Sequence, residues 1–234
     1  MPGLQDKQIP RSARNNNGLL SRCVKVGRQD SGEYQDVSHI EGCAVLRIAT
    51  PDPTNVLSSA VIRSLGSAVE GLWEEATRGE IKALIITGND KFFSAGADLK
   101  EIAQLTGPEA FEFSRAGQRL MNAIDNFPVP VIAAICGYCM GGGMDLVLAC
   151  DYRIAAPNAV FGHRGASLGV ITGWGGTQRL PRLIGKPRTM QMFLLAEMVD
   201  AEEALRIGLV DEIAEDPTER ALARVARLSS PHLT

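Results

Sequence analysis

The segment IKALIIT, residues 81–87, is apolar at nearly every position and too short for an ordinary helix. As a strand it must be covered on both faces, the burial found where helices flank a parallel sheet. Similar runs recur at Val131–Tyr138, Tyr152–Ala156 and Leu209–Ile213. Between them the apolar residues change period. Leu57, Val61, Ile62, Leu65, Ala68, Val69, Leu72 and Trp73 predict an amphipathic helix over residues 57–77. Thr106 and Glu109 form a capping box for a helix carrying Phe111, Leu120, Met121 and Ile124, and Pro128 and Pro130 end it. Asp200 with Glu203 caps a later helix that Gly208 stops. Glu33–Ile40 and Cys43–Ala49 read as a hairpin around Glu41 and Gly42. This alternation predicts an α/β fold with parallel strands, right-handed crossovers and sites at the strand-to-helix turns.

Composition narrows the function. A chain of 234 residues that is 45% hydrophobic and 22% charged can bury one compact core. A net charge of -3 and a pI near 5.7 argue against nucleic acid or an anionic membrane surface as partners. The longest apolar run, Val129 to Ile135, is too short to cross a bilayer, and no signal-peptide pattern opens the chain, so a cytoplasmic protein is expected. Residues 1–30 are polar and read as a flexible N-terminal extension ahead of a single domain over 31–234. Five cysteines, Cys136 and Cys139 among them as a CxxC in a buried strand, read as reduced core thiols rather than a redox or zinc site. Three scattered histidines without HExxH spacing argue against a metal, and the missing GxSxG and GxGxxG patterns argue against a serine hydrolase or dinucleotide enzyme.

Two strand-to-helix turns stand out, FFSAGADLKE at 92–101 and GYCMGGGMDL at 137–146. Their small residues let a ligand approach bare backbone N–H groups, and the amides of Ala95 and Gly142 are the expected donors to an oxygen that gains negative charge. For either loop alone, close packing of helix on strand is an equal reading. Asp145 follows the second turn. It reads as a proton-transfer group, or as an acid that stabilises the helix dipole.

SAGADLKE, GGGMDL, FGH at 161–163, GWGGTQRLPRLIG at 173–185 and AEEALRIGLVDEI at 201–213 together resemble the crotonase, or enoyl-CoA hydratase/isomerase, superfamily from about residue 33 onward. The resemblance implies a superhelix of repeated ββα units, a homotrimer or hexamer, and an acyl-CoA thioester as substrate, with coenzyme A carried by the substrate and no other cofactor. It implies an oxyanion hole at Ala95 and Gly142 and a CoA-contacting stretch from Ala95 through Gly96 and Ala97 to Asp98. It also implies helices beyond the point where this chain stops, so the domain is expected to lack them.

The hydratases of that family share the added water between two glutamates. The first maps to Asp145, an acid one methylene shorter, as in the GGGxD of some dienoyl-CoA isomerases. The second maps to Gly165, and the third acid of those isomerases to Gly173. Hydration by two carboxylates therefore lacks half its equipment. His163 and Arg164 either substitute for the missing acid, His163 as an acid or base, or face solvent or pair with Asp145 structurally. Trp174 either walls the acyl pocket or only packs. The sequence thus predicts enolate chemistry of the hydratase/isomerase type, with single-base isomerisation, decarboxylation, C–C cleavage or a purely binding role as alternatives.

Overall fold

The computed structural model describes residues 26–228, with side chains from residue 32. The first 25 residues of the expected extension, and the end of the chain with His232, lie outside the described residues. Strand β1 (Val26–Ser31) pairs antiparallel with β2 (Gln35–Ile40), which pairs antiparallel with β3 (Cys43–Ile48). Residues 26–30, expected in the flexible arm, are thus an edge strand. Their order comes from backbone pairing with β2, which local composition does not reveal.

The short β4 (Val56–Leu57) leads into α1 (Ser59–Thr77), whose N-cap Ser58 accepts the Val61 N–H at 3.3 Å. Three strand-strand-helix units follow, as the resemblance implied. The first runs β5 (Ala83–Thr87), β6 (Phe92–Ser94) and β7 (Gly96–Ala97) into α2 (Leu99–Ile102) and α3 (Gly107–Asp125). The second runs β8 (Val131–Ile135) and β9 (Tyr138–Met140) into α4 (Gly142–Val147). The third runs β10 (Tyr152–Ala155) and β11 (Val160–Gly162) into a 3-10 turn, Arg164–Leu168, then α5 (Gly176–Ile184) and α6 (Lys186–Leu194). The described chain closes with β12 (Met198–Asp200), α7 (Ala201–Arg206), β13 (Glu212–Ile213) and α8 (Pro217–Leu228). The capping box of α3 is present, with the Glu109 carboxylate 2.8 Å from the Thr106 N–H. Among the described residues no helix is long and apolar enough to cross a membrane.

The run Val131–Tyr138 is not one strand. Gly137, at φ 59°, turns the chain out of one sheet and into another. β8 enters the main sheet, ordered β1-β2-β3-β5-β8-β10-β13 and parallel from β3 onward. β9 enters a second sheet, ordered β12-β11-β9-β6.

Both faces of the main sheet are buried, which explains the unbroken apolar runs. Leu84, Ile86, Val131, Ala133 and Ile135 join the large core with α1 and α3. The alternate residues Ala83, Ile85, Ile132 and Ala134 form a smaller core closed by Ala221, Leu222 and Val225 of α8. Ile85 is fully enclosed. Ile85→Ala is expected to cost about 2–5 kcal/mol, read as a lowered urea midpoint at unchanged slope.

Candidate active site

The first wall is the turn after β6. Asn55 is buried at φ 52°, a conformation asparagine tolerates better than most residues. Its side-chain amide donates to the carbonyls of Phe92 at 3.1 Å and Phe93 at 3.2 Å. Its own carbonyl accepts the Ser94 hydroxyl at 2.8 Å, and Ser94 Oγ accepts the Gly96 N–H at 3.0 Å. The PDPTN stretch, residues 51–55, therefore clamps this turn.

The second wall is the start of α4. Gly141 turns at φ 51°, and Gly142, the first helical residue, has an N–H with no carbonyl one turn earlier in the helix to receive it. The two turns touch through bare backbone: a Cβ on Gly96 would lie 2.7 Å from the Met140 carbonyl oxygen and 3.1 Å from the Gly142 nitrogen.

Asp145 sits on α4 with 1% of its surface exposed. Its Oδ2 accepts the Thr172 hydroxyl. Its Oδ1 lies 3.6 Å from Nε2 of buried His163, and among the described residues neither atom has a hydrogen-bond partner. The His163 ring packs edge-on against Phe193 at 4.9 Å between centroids. A side chain at Gly176 would strike Asp145 Oδ1. Trp174 is wedged between α3 and α4, so close that a Cβ on Gly117 or Gly142 would collide with its ring, and it lies 5.3 Å from the Phe113 ring.

These groups line one cavity of about 900 Å³, whose walls are mostly apolar: Leu99, Leu105, Phe113, Val170, Ile171 and Trp174. Its acidic and basic side chains are Asp145, His163 and Arg164. Residues 39–232 match the family model described as enoyl-CoA hydratase/isomerase. The chain belongs to that family. It is 40% identical over 190 residues to a crotonyl-CoA hydratase of Syntrophomonas wolfei, covering 81% of this chain and 71% of that protein. It is 42% identical over 177 residues to a probable enoyl-CoA hydratase of Bacillus subtilis, covering 75% and 67%. Among solved structures, Pseudomonas aeruginosa DspI superimposes with a TM-score of 0.78 at 38% identity over 86% of this chain and 83% of that one. An enoyl-CoA hydratase from Geobacillus kaustophilus gives 0.80 at 29% identity, covering 86% and 76%. The chain is accordingly an acyl-CoA thioester enzyme of the crotonase type.

Most of the residues singled out in this enoyl-CoA hydratase/isomerase by sequence meet at the cavity: Ala95, Gly96, Ala97, Gly142, Asp145, Gly165 and Trp174 all line it. Two assignments change. The Ala95 N–H is already bonded to the Thr54 carbonyl at 2.8 Å, so it is not the oxyanion donor. The Asp98 N–H donates to Leu57 of β4 at 3.2 Å, and alternation along an extended chain turns the Ala97 N–H away from β4, so Ala97 rather than Ala95 is the candidate donor beside Gly142. The Asp98 carboxylate is not in the cavity wall. It caps α2, accepting the N–H groups of Lys100 at 2.9 Å and Glu101 at 3.2 Å.

Of the two positions without an acid, Gly165 is closed to one by backbone, while Gly173 faces only a side chain. A Cβ on Gly165 would strike the Val170 carbonyl, and one on Gly173 would lie 2.9 Å from Ser114 Oγ. Arg164 is exposed while His163 is buried beside Asp145. Trp174 proves to be both wall and packing. Sequence reasoning missed Thr172, which belongs to no motif, and Asn55, whose only signal is an asparagine able to take a left-handed backbone inside a Pro-rich break.

Cys136 and Cys139 are free thiols, as expected. Burial pushes Cys136 up to about 11, with the Asp90 and Asp216 charges adding to it, and pushes Cys139 well above its ordinary value. A raised pKa means little thiolate at neutral pH, so iodoacetamide at about pH 8 is expected to leave both unlabelled in the native protein and to label both after unfolding, read by mass spectrometry. Asn55→Ala removes the two hydrogen bonds to the carbonyls of Phe92 and Phe93 and is expected to cost about 1–3 kcal/mol in urea unfolding.

Proposed function

We propose that this enzyme binds the acyl chain of a CoA thioester in the apolar cavity, with the thioester carbonyl oxygen between the N–H groups of Ala97 and Gly142. Asp145 then removes a proton from the α-carbon. The C–H electron pair moves into the carbonyl, giving an enolate whose negative oxygen the two amides stabilise, and the same carboxyl returns the proton to carbon. The observation that carries this reading is Asp145 itself: a buried carboxylate in the cavity wall, one oxygen held by Thr172 and the other without a hydrogen-bond partner among the described residues. The hydratase names of its relatives support the substrate class.

One base is enough for this chemistry, so the glycine at 165 favours proton exchange and double-bond isomerisation over hydration by two carboxylates. The reaction needs no cofactor beyond the coenzyme A of the substrate. Assembly as a homotrimer or hexamer and a cytoplasmic location belong to the same proposal, the assembly supported by exposed Ile171, Leu194 and Leu195.

In D2O, butyryl-CoA incubated with the enzyme is expected to take up deuterium at its α-carbon, and Asp145→Asn is expected to slow uptake by about 100-fold or more. Uptake by the folded variant at the wild-type rate overturns the assignment of Asp145.

A further inference from the structure

An enzyme that takes an acyl group into a cavity must also bound the space that group can fill. Of the cavity's lining residues, Gly96, Gly142, Asp145, His163 and Trp174 are buried, whereas Leu99, Leu168, Val170 and Ile171 are exposed. The first set is the floor of the cavity and the second its rim. Trp174, 4% exposed, is the large apolar side chain of that floor. Its indole spans the gap between two helices. The five-membered ring lies against Gly117 of α3, where a Cβ would collide with Nε1, and the six-membered ring lies against Gly142 of α4, where a Cβ would collide with Cζ3. Phe113, one turn before Gly117, packs on the indole at 5.3 Å between centroids. The main chain from which the indole projects is held as well: the Gly173 carbonyl accepts from Gln118 Nε2 at 2.7 Å, and the Trp174 carbonyl from Arg179 Nη1 at 3.3 Å.

We propose that Trp174 is the specificity-determining residue for the acyl group, closing the deep end of the cavity so that short acyl thioesters are accepted and long ones are turned away. This rests on the preceding placement of the thioester carbonyl at the Gly142 amide. Coenzyme A, charged and far larger than a short acyl group, stays toward the exposed rim, so the acyl chain runs from the carbonyl toward the floor. Asp145 and His163 are the ionisable part of that floor, and the indole is the apolar surface left for the chain to reach. The chain meets it within a few carbons, because the same ring rests on Gly142. A longer chain has to displace a side chain wedged between two helices, and steric exclusion of this kind separates substrates that differ by a few methylenes. Replacing the indole by a methyl group leaves an apolar void between Gly117 and Gly142, of the kind that stays dry and takes an apolar guest. Each further methylene buried there is worth roughly fourfold in affinity.

The test measures binding of butyryl-, hexanoyl-, octanoyl- and decanoyl-CoA by isothermal titration calorimetry to wild type, Trp174→Ala and Trp174→Leu, with circular dichroism and thermal melting to confirm folding. Wild type is expected to bind decanoyl-CoA about tenfold or more weakly than butyryl-CoA. Trp174→Ala is expected to reverse the order, with decanoyl-CoA bound about tenfold or more tightly than butyryl-CoA. Trp174→Leu, which keeps an apolar filling between the helices, shifts the ratio in the same direction by a smaller factor. Equal ratios in wild type and the folded variants overturn the proposal and mark Trp174 as packing alone. Wild type that binds decanoyl-CoA as tightly as butyryl-CoA overturns it too. α-Deuterium uptake from D2O is followed with the same proteins: wild type that binds butyryl-CoA without exchange overturns the role of Asp145 and leaves the selection by Trp174 standing, whereas wild type that binds none of the thioesters overturns both readings.

Discussion

The site depends on an approach between two pieces of main chain that no side chain permits. Gly96 lies against the Met140 carbonyl and the Gly142 nitrogen, and a single added carbon on Gly96 would close that gap. Around this contact β7 and the start of α4 come together at the cavity wall. The cost of holding the turn after β6 so tightly is met by Asn55 and Ser94, which occupy its carbonyls and one of its amides. The proposed donors, the N–H groups of Ala97 and Gly142, lie in these two turns, and donors fixed before a ligand arrives are the ones that stabilise a developing charge.

Asp145 is placed by the same geometry. The turn at Gly141 starts α4 inside the fold, so a carboxylate one turn along is carried into the cavity wall rather than out to water. A buried carboxylate needs polar company, and the chain supplies it from the segment after β11: Thr172 on one oxygen and His163 near the other. Trp174, from that same segment, fills the space over Gly117 and Gly142. The loop that lacks the expected second acid therefore still contributes a hydrogen bond, an imidazole and a wall.

Much of this was legible in the chain. Unbroken apolar runs marked β5 and β8, and period-3.6 patterns marked α1 and α3, because burial on both faces of a sheet imposes the first and burial along one stripe of a helix the second. Gly96, Gly142 and Asp145 were legible because close backbone contact demands glycine and because a carboxylate directly after a glycine triplet stands out from the apolar run around it. The edge strand β1 was not, since its order comes from pairing with β2. Gly137 escaped notice as a divider because an apolar run on either side of a turn reads as one strand.

The sequence by itself determined the α/β class, the family and the two glycine-bearing turns that meet at the cavity, because each leaves a local signature in spacing or composition. Only the tertiary structure decided that the Ala95 amide is already occupied. Ala95 and Ala97 are both small residues of one motif, and the difference between them is that the Thr54 carbonyl, far away along the chain, occupies one and not the other. It also decided that Asn55 clamps a turn, and that Thr172 and His163 meet Asp145. Contacts of this kind join segments that fold together from distant positions, and no local pattern of residues encodes them.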